Sequence, residues 1–405
     1  MPSLDDLRRV IRRIETARPP RPAAEPVEQV VDGELLDTGQ GPIVVVRREY
    51  PLAHRHGAEP LGDAIAAPLA MLARAARVEG ELGDAGRLLF LDTETTGLAG
   101  GTGTYAFLVG AAWLEGGRLT VTQFFMRDFD EEPALLAALE PLLTRAAAVV
   151  TFNGAGFDLP LLETRFVLAR RRWPSTLPNL DLLRPARRVW NGWLSDCRLS
   201  TIESEVLGLA RESDVPGSLI PLLYFDYLRS RRAGPLKRVF EHNRLDVLSL
   251  VALVGWFGRA LSPDADVRPE ELAGLGRLWE PVDVERALGC YRSALAAGLR
   301  DPVARWARMR LARWEKRAAR WEAACVLWEA ARGDVLFDPR PWEELAKFQE
   351  HRARDLTRAR AIVADALDQA RSIGAAPRVL DGFAYRLARL ERRLNRSGFD
   401  AAATT

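Results

Sequence analysis

The sequence of 405 residues predicts an α/β domain with a mixed central sheet flanked by helices, followed by an all-α helical-repeat region. Two patterns lead to this prediction. Between residues 88 and 257, short apolar runs typical of buried strands alternate with segments of helical spacing. Beyond residue 262 the strand signals end, and a helical pattern recurs at a fixed period.

The elements of the first region are expected in the order strand, strand, strand, helix, strand, helix and a long final helix. Their ranges are 87–92, 105–126 (two strands joined at Gly116-Gly117), 132–143, 147–153, 157–172 and 236–261. Strands divided by helices in this way indicate a mixed sheet with helices packed on it. Two glycines between apolar runs are typical of a hairpin turn.

The chain is expected to divide into four regions, namely an N-terminal helix with a Pro-rich linker (1–29), the α/β domain (30–262, core 85–260), helical repeats (270–395) and a disordered tail (396–405). The N-terminal helix is expected over 1–18. Residues 30–80 look irregular, apart from strand-like pieces such as 42–50.

Three helical segments of the last region repeat with a spacing of 36 residues, at 287–295, 323–331 and 359–367. Each has an alanine followed by another seven positions later, and small residues on one helical face allow close packing. The period resembles that of the tetratricopeptide family, which is about 34 residues. That resemblance implies a protein partner for the repeats, whereas a plain helical bundle is the alternative.

Composition places the chain among ordinary globular proteins, with 48% hydrophobic and 28% charged residues. No run reaches the ~18 apolar residues of a membrane helix, so no membrane association is expected. The N-terminus has no apolar stretch of a secretory signal, and the three cysteines form no CxxC pair. We therefore expect a cytoplasmic protein without disulfides or a cysteine zinc site.

Charge is unevenly distributed although the net charge is only +2. Residues 81–160 contain 4 basic and 11 acidic side chains, and residues 161–246 contain 15 basic and 10 acidic ones. An acidic region beside a basic one suits a cation site next to a polyanion. A patchwork of solvated faces explains the same numbers.

The first chemical motif is LDTETTGL at 91–98, in which Asp92 and Glu94 follow a buried strand. Residues two apart on a strand point to the same side. Two neighbouring carboxylates at the end of a buried strand are costly without a compensating charge, and a hard cation such as Mg²⁺ prefers these ligands. Thr95, Thr96 and Gly97 then turn the chain where a substrate backbone could approach.

Two later segments add acidic residues. Asn153 ends a strand and Asp158 starts the next helix, where an aspartate is also a favourable partner of the helix dipole. His242 and Asp246 are four residues apart on the last helix and share a face. They suit a general base beside a metal ligand, although a self-stabilising surface pair is common too.

Taken together, the four carboxylates Asp92, Glu94, Asp158 and Asp246 suffice to hold two Mg²⁺ or Mn²⁺ ions about 4 Å apart. One ion would activate water and the other would stabilise the leaving oxygen. The ordered set therefore predicts a site for phosphodiester hydrolysis.

These motifs resemble those of the DEDD superfamily of 3′–5′ exonucleases, which has the ribonuclease H-like fold. More specifically, the chain is similar to the YprB-type ribonuclease H-like domain family over roughly residues 30–260, in LDTETTGL, NLDLLRPARRVW (179–190), DVPGSLIPLLYFDYL (214–228) and HNRLDVLSL (242–250). The resemblance implies that Asp92, Glu94, Asp158 and Asp246 are the metal ligands of a 3′–5′ exonuclease. It also marks Asp181 as a residue of the outer shell.

His242 departs from the superfamily pattern. The superfamily places a histidine five positions before the last aspartate or a tyrosine four positions before it, and this chain has the histidine at the shorter spacing. His242 is therefore expected either to act as general base or to orient water or phosphate. Contact with substrate is expected from five further residues, Thr95, Thr96, Gly97, Asn153 and Asn243.

The leading hypothesis is an exonuclease that hydrolyses single-stranded DNA or RNA. Basic residues available for the phosphates are Arg170 to Arg172, Arg187, Arg188, Arg231, Arg232, Lys237 and Arg238. A structure-selective endonuclease is one alternative, because the fold supports both activities. A nucleic-acid-binding or scaffold protein, with a weak or silent nuclease fold and partner-binding repeats, is the other.

Overall fold

The computed structural model describes residues 25–97, 103–212, 214–262, 265–333 and 336–402, with side chains as far as residue 396. The chain divides into two compact units, Met1–Asp266 and Val267–Thr405. The predicted helix at 1–18 lies outside the described residues. An α/β region followed by an all-α region is confirmed.

The first unit contains the strands. They are β1 (Glu34–Asp37), β2 (Pro42–Pro51), β3 (Arg55–His56), β4 (Glu59–Pro60), β5 (Leu88–Thr95), β6 (Ala106–Glu115), β7 (Arg118–Phe125), β8 (Ala148–Thr151) and β9 (Asn179–Asp181). Seven of them form one sheet in the order β1-β2-β7-β6-β5-β8-β9, whereas β3 pairs with β4. The strands β5, β8 and β9 are parallel and the other neighbours are antiparallel. The predicted mixed sheet is therefore confirmed.

Helices cover this sheet. In the first unit they are α1 (Val27–Val30), α2 (Asp63–Ala66), α3 (Leu69–Ala76), α4 (Glu132–Arg145), α5 (Asp158–Leu168), α6 (Leu183–Trp190), α7 (Leu199–Ile202), α8 (Ile220–Ser230) and α9 (Leu236–Ala260). The predicted hairpin at Gly116-Gly117 and the long final helix are confirmed by β6, β7 and α9.

The prediction that residues 30–80 are largely irregular is wrong, whereas the strand-like piece expected at 42–50 is present as β2. β2 pairs with β7 from Val44↔Phe125 to Pro51↔Arg118, so β1 and β2 extend the central sheet. Ile43 to Val46 are all buried, which explains why this stretch is a continuous apolar run without strand alternation. The run has its partner about 75 residues later, and no local pattern reveals that pairing.

Helix α9 lies close to the sheet because β6 has a glycine where the helix crosses it. A Cβ atom on Gly110 would lie 2.4 Å from Asn243 Oδ1 and 2.8 Å from Val247 Cγ2. Gly110 is also the register partner of Asp92 on β5. The missing side chain therefore brings the polar half of α9 next to the end of β5.

The second unit is all helical in its described residues. Its helices are α10 (Pro269–Trp279), α11 (Val284–Ala296), α12 (Val303–Arg317), α13 (Trp321–Arg332), α14 (Pro339–Phe348), α15 (Leu356–Ser372) and α16 (Pro377–Ala402). They pack as the pairs α10–α11, α12–α13 and α14–α15, and α16 packs on α15. The tetratricopeptide-like character of this unit stays a prediction.

The regular spacing of 36 residues is not kept by the buried positions. The first and third segments bury Ala287 and Ala359, but the middle one buries Ala324 and leaves Ala323 exposed. The middle helix is thus shifted by one residue. Residues 323, 324, 330 and 331 are all alanine, so two registers show alanines seven positions apart and the sequence does not reveal the shift.

Helix α16 continues to Ala402, within the range 396–405 that was expected to be a disordered tail, and the disorder of that tail stays a prediction. No proline interrupts this helix after its first residue, and alanines at its end favour helix. Among the described residues, no helix is long and apolar enough to cross a membrane.

Two helical glycines of the second unit make a matched test of its packing. In Gly276→Ala the new Cβ would lie 2.3 Å from the buried Tyr291 ring, so we expect a loss of about 1–3 kcal/mol in the free energy of unfolding. Gly289→Ala has nothing within 4 Å of its new Cβ and should gain up to ~1 kcal/mol from helix propensity. Urea unfolding measures both, and equal effects would contradict this packing.

Candidate functional site

The site is built around the end of β5. Asp92 and Glu94 are two residues apart and point to the same side, opposite to Leu91 and Thr93. Burial, followed by the nearby charges of Asp246 and Asp158, raises the pKa of Asp92 well above its usual value. Burial and the charge of Asp92 likewise raise the pKa of Glu94. The two carboxylates thus lie in a poorly solvated cluster of like charges.

A side-chain relay from α9 and β7 holds Asp92 in place. Asn243 is fully buried, and its Nδ2 donates to Asp92 Oδ2 at 2.8 Å. The Oδ1 of Asn243 accepts from Gln123 Nε2 at 2.9 Å, which identifies the orientation of the amide. Gln123 also donates to the backbone oxygen of Phe240 at 2.7 Å. Both polar atoms of the Asn243 side chain are therefore hydrogen-bonded within the protein.

Asp158 approaches from the first residue of α5, as predicted. It is buried, and one of its carboxylate oxygens accepts a short hydrogen bond from the Thr93 hydroxyl. Burial raises the pKa of Asp158 to about 6, although the hydrogen bond from Thr93 opposes the shift.

His242 and Asp246 share one face of α9, again as predicted. His242 Nε2 lies 3.6 Å from Asp246 Oδ2 and 3.9 Å from Glu94 Oε1. On the other side of the ring, His242 Nδ1 lies 2.8 Å from Asp214 Oδ1. A proton on Nδ1 satisfies this contact and leaves Nε2 unprotonated, directed toward the carboxylates.

Asp214 is suited to hold the histidine as a charged acceptor. Burial would raise its pKa, but the hydrogen bond from His242 and the charge of Arg211 oppose burial, and the pKa of Asp214 is lowered. Asp214 therefore stays ionised beside the ring. The backbone N–H of Val215 also donates to Asp214 Oδ1, at 2.8 Å.

Arg211 is the cation that balances this side of the cluster. Its guanidinium lies 2.5 Å from Glu203 Oε1 and 3.1 Å from Asp214 Oδ2, and it also donates to Asp246 Oδ1. Its side chain is only 8% exposed, so these charges interact with little screening by solvent. One guanidinium thus links the π-helical turn Glu203–Leu207 to α9.

A chain of hydrogen bonds leads from Glu203 through Ser249 to a neutral histidine, His56. Ser249 donates to Glu203, and His56 Nε2 lies 2.7 Å from Ser249 Oγ. Burial and then the charge of Arg211 lower the pKa of His56 to about 3, so the ring is neutral. His56 therefore forms the buried, neutral end of this network.

Asp181 organises the loop that precedes Asp158. Its carboxylate accepts backbone N–H groups from Asn153 at 2.8 Å, Ala155 at 3.1 Å and Leu183 at 3.0 Å. Asn153 has φ 68°, a left-handed conformation that asparagine tolerates well. Asp181 thus fixes the backbone that leads into α5, without touching the cluster itself.

The predicted substrate contacts divide into two groups. The prediction that Asn243 contacts substrate is corrected, because its side chain is fully buried, holds Asp92 and has no surface left for substrate. Thr95 is buried and donates to Gly97 O at 2.8 Å, so it shapes the turn. Thr96, Gly97 and Asn153 retain exposed surface near the strand ends.

Carboxylate chemistry fits a divalent cation here. Four carboxylates converge from β5, α5 and α9, and burial together with neighbouring negative charges disfavours the ionised forms of Asp92, Glu94 and Asp158. Among the residues that the structure describes, however, no group of three or more His, Cys, Asp or Glu side chains is arranged to hold a metal ion. Asp246 is turned toward Arg211 and Asp158 toward Thr93, so ligation requires rotation of these side chains.

The chain was compared with known proteins. Residues 89–258 match the family model of the RNase H superfamily. A protein of Bacillus subtilis (strain 168), named uncharacterized protein YprB, is 39% identical over 212 residues, which cover 51% of this chain and 50% of YprB. The chain therefore spans about half the length of that relative, whose name states no activity.

Residues 89–258 are a ribonuclease H-like domain. The expected resemblance to YprB and the expected fold class are thereby confirmed. The ribonuclease H-like fold is a nuclease fold, and its nucleases act on nucleic acids and generally use divalent metal ions. The cluster at the end of β5 lies within the matched residues.

Several residues of the site were missed by sequence reasoning. Asp214, Arg211 and Gln123 contact predicted residues directly, and Glu203 contacts Arg211. Asp214 begins the segment DVPGSL, whose similarity to YprB-type domains was the available signal. No signal distinguished Arg211, which is one of 54 arginines in the chain.

The raised pKa of Asp158 predicts a pH-dependent gain from Asp158→Asn. Ionisation of this carboxyl opposes folding, so the stability of its protonated form is lost as pH rises from 3.8 toward about 6. In EDTA we expect Asp158→Asn to raise the free energy of unfolding by about 1–3 kcal/mol at pH 7 and by almost nothing near pH 4. Urea unfolding at both pH values measures this.

The control is Glu163→Gln, an exposed carboxylate on the same helix. It removes the same charge without relieving burial and should change stability little at either pH. A loss of stability in Asp158→Asn at pH 7 would show that the buried charge is compensated in the metal-free protein.

Proposed function

We propose that this protein is a metal-dependent nuclease, and more specifically a 3′–5′ exonuclease that hydrolyses single-stranded DNA or RNA. The observation that carries the proposal is the convergence of Asp92, Glu94, Asp158 and Asp246 in one poorly solvated cluster, with His242 Nε2 directed toward it. Such a cluster lowers the stability of the fold, which is typical of functional sites. It lies within the residues that match the ribonuclease H superfamily, and this supports a nuclease function.

These four carboxylates would hold Mg²⁺ or Mn²⁺, in two positions as the resemblance to the DEDD superfamily implies. When bound, the ions lower the pKa of a coordinated water and neutralise charge that develops on the phosphate and leaving oxygen. Asn243 would hold Asp92 during this work, because it donates to Asp92 Oδ2.

His242 accepts the proton of the attacking water in this proposal. The contact between Nδ1 and Asp214 selects the tautomer in which Nε2 has a lone pair, and it stabilises the ring once it becomes positive. This arrangement supports the general-base role over a role in orienting phosphate. The short spacing to Asp246 is compatible with it, since both side chains still reach the cluster.

Direction of digestion and strand type rest on the resemblance alone. An endonuclease would use the same carboxylates and differ in how substrate is admitted. The scaffold alternative is less supported, because nothing in a binding role requires four carboxylates in a buried cluster.

Asp92→Asn is expected to abolish cleavage and leave the fold intact. Removing the charge weakens cation binding, while asparagine still accepts the hydrogen bond from Asn243. The measurement is degradation of end-labelled single-stranded DNA and RNA with Mg²⁺ or Mn²⁺. Laddering from the 3′ end, absent in the variant, is the expected result, and the preferred strand identifies the substrate.

Its control is Glu163→Gln, which should cleave like the parent protein. Full cleavage by Asp92→Asn would overturn the site. Internal cuts in place of a 3′ ladder would replace the exonuclease with the endonuclease.

Asp214 and His242 are expected to behave as one unit. Asp214→Ala should lower kcat by about 10- to 100-fold with little change in KM, because the outer partner orients the ring without contacting substrate. Asp214→Asn keeps an acceptor oxygen and should retain more activity. Combined with His242→Ala, Asp214→Ala should add no further loss.

Glu212→Gln, an exposed neighbour on the same loop, is the control and should leave kcat unchanged. Multiplicative losses in the double variant would mean that Asp214 acts independently of His242.

A further inference from the structure

The two units differ in charge. Residues 1–266 contain 31 basic and 35 acidic side chains, a net charge of −4, whereas residues 267–405 contain 26 and 20, a net charge of +6. Most of this excess lies between residues 350 and 396, which contain 11 basic and 6 acidic side chains. The unit with the candidate active site is therefore acidic, and the helical unit is basic.

A buried glutamate organises the basic residues of α16. Glu350 has a side chain only 1% exposed, and it accepts from Arg389 at 2.6 Å, Arg393 at 2.6 Å and Arg386 at 3.2 Å. Three guanidiniums therefore lie around one buried carboxylate. Ordering them on a buried group reduces the side-chain entropy that an anionic ligand would otherwise have to remove.

An exposed aromatic residue lies beside this array. Tyr385 is 68% exposed, which is unusual for a large ring on a packed helix. Arg389, Arg392 and Arg396 follow it at four, seven and eleven positions, so they share its face of α16. The row from Tyr385 to Arg396 extends about 16 Å along the helix.

We propose that this face of α16, formed by Tyr385, Arg389, Arg392 and Arg396, binds single-stranded nucleic acid. Arginines bind phosphates through paired N–H donors, and an exposed ring offers a surface on which a base stacks. An acidic peptide would use the arginines but would gain little from the ring. The choice of nucleic acid as the ligand rests on the proposed function. The first unit has a net negative charge that repels a polyanion, and the positive charge of this face would attract one.

Binding is tested with the full chain carrying Asp92→Asn, in EDTA, so that cleavage plays no part. The Kd is measured by fluorescence anisotropy with labelled single strands of DNA and RNA about 20 nucleotides long, and with the corresponding DNA duplex. Tyr385→Ala should weaken single-strand binding at least about fivefold and duplex binding less. Tyr385→Phe keeps the ring and should bind like the parent.

Arg392→Gln with Arg396→Gln tests the phosphate contacts without disturbing the partners of Glu350. Loss of two contacts should weaken binding about tenfold at 0.1 M salt and reduce the slope of log Kd against log salt by about 1.4. The matched control is Arg313→Gln with Arg317→Gln, two exposed arginines with the same spacing on α12. The control should change neither quantity.

The outcomes separate this surface from the proposed function. If the parent binds and the Tyr385 and Arg392/Arg396 variants bind equally well, the surface is wrong and the nuclease proposal stands. If the parent binds neither strand, this surface is wrong, whereas the nuclease proposal is decided separately by the cleavage assay with Mg²⁺ or Mn²⁺. If the variants lose binding to a poly-glutamate peptide but not to nucleic acid, the face serves a protein partner and the inference is overturned.

Discussion

The first unit depends on the cost of placing carboxylates together in a poorly solvated place. Asp92, Glu94, Asp158 and Asp246 repel one another, and burial adds to the penalty. The structure offsets part of it with Arg211, which donates to Asp246, and part with neutral donors from Asn243 and Thr93. In the proposed function, the remaining imbalance would favour the binding of cations, so that stability is exchanged for function.

Precision in this cluster comes from long-range contacts more than from the loops that carry it. The buried relay from Gln123 to Asn243 crosses from β7 to α9, and the contact of Asp214 with His242 joins a loop to the same helix. Helix α9 and strand β7 therefore position the side chains of the cluster. The closeness of α9 to the sheet in turn depends on the absent side chain of Gly110.

The sequence could predict those features whose signals come from residues close together along the chain. Alternation and helical spacing are local, so β5, the β6–β7 hairpin and α9 were predictable. Asp92 and Glu94 were predictable for the same reason, since a strand places them together. Arg211 and Asp214 reach the cluster from an irregular loop, and β2 finds its partner in β7, so these contacts depend on the completed fold. Asn243 looked available because its burial is a tertiary property.

The pairing of β2 with β7 affects how this domain is isolated. The family match begins at residue 89, so a fragment cut to that boundary would omit β1 and β2. It would leave a whole edge of β7 with unpaired backbone groups and would uncover the core that Ile43 to Val46 now protect. Exposed edges of this kind recruit other chains, so the shortened domain would be prone to aggregate whatever the state of its active site. A usable boundary lies before residue 27, ahead of α1.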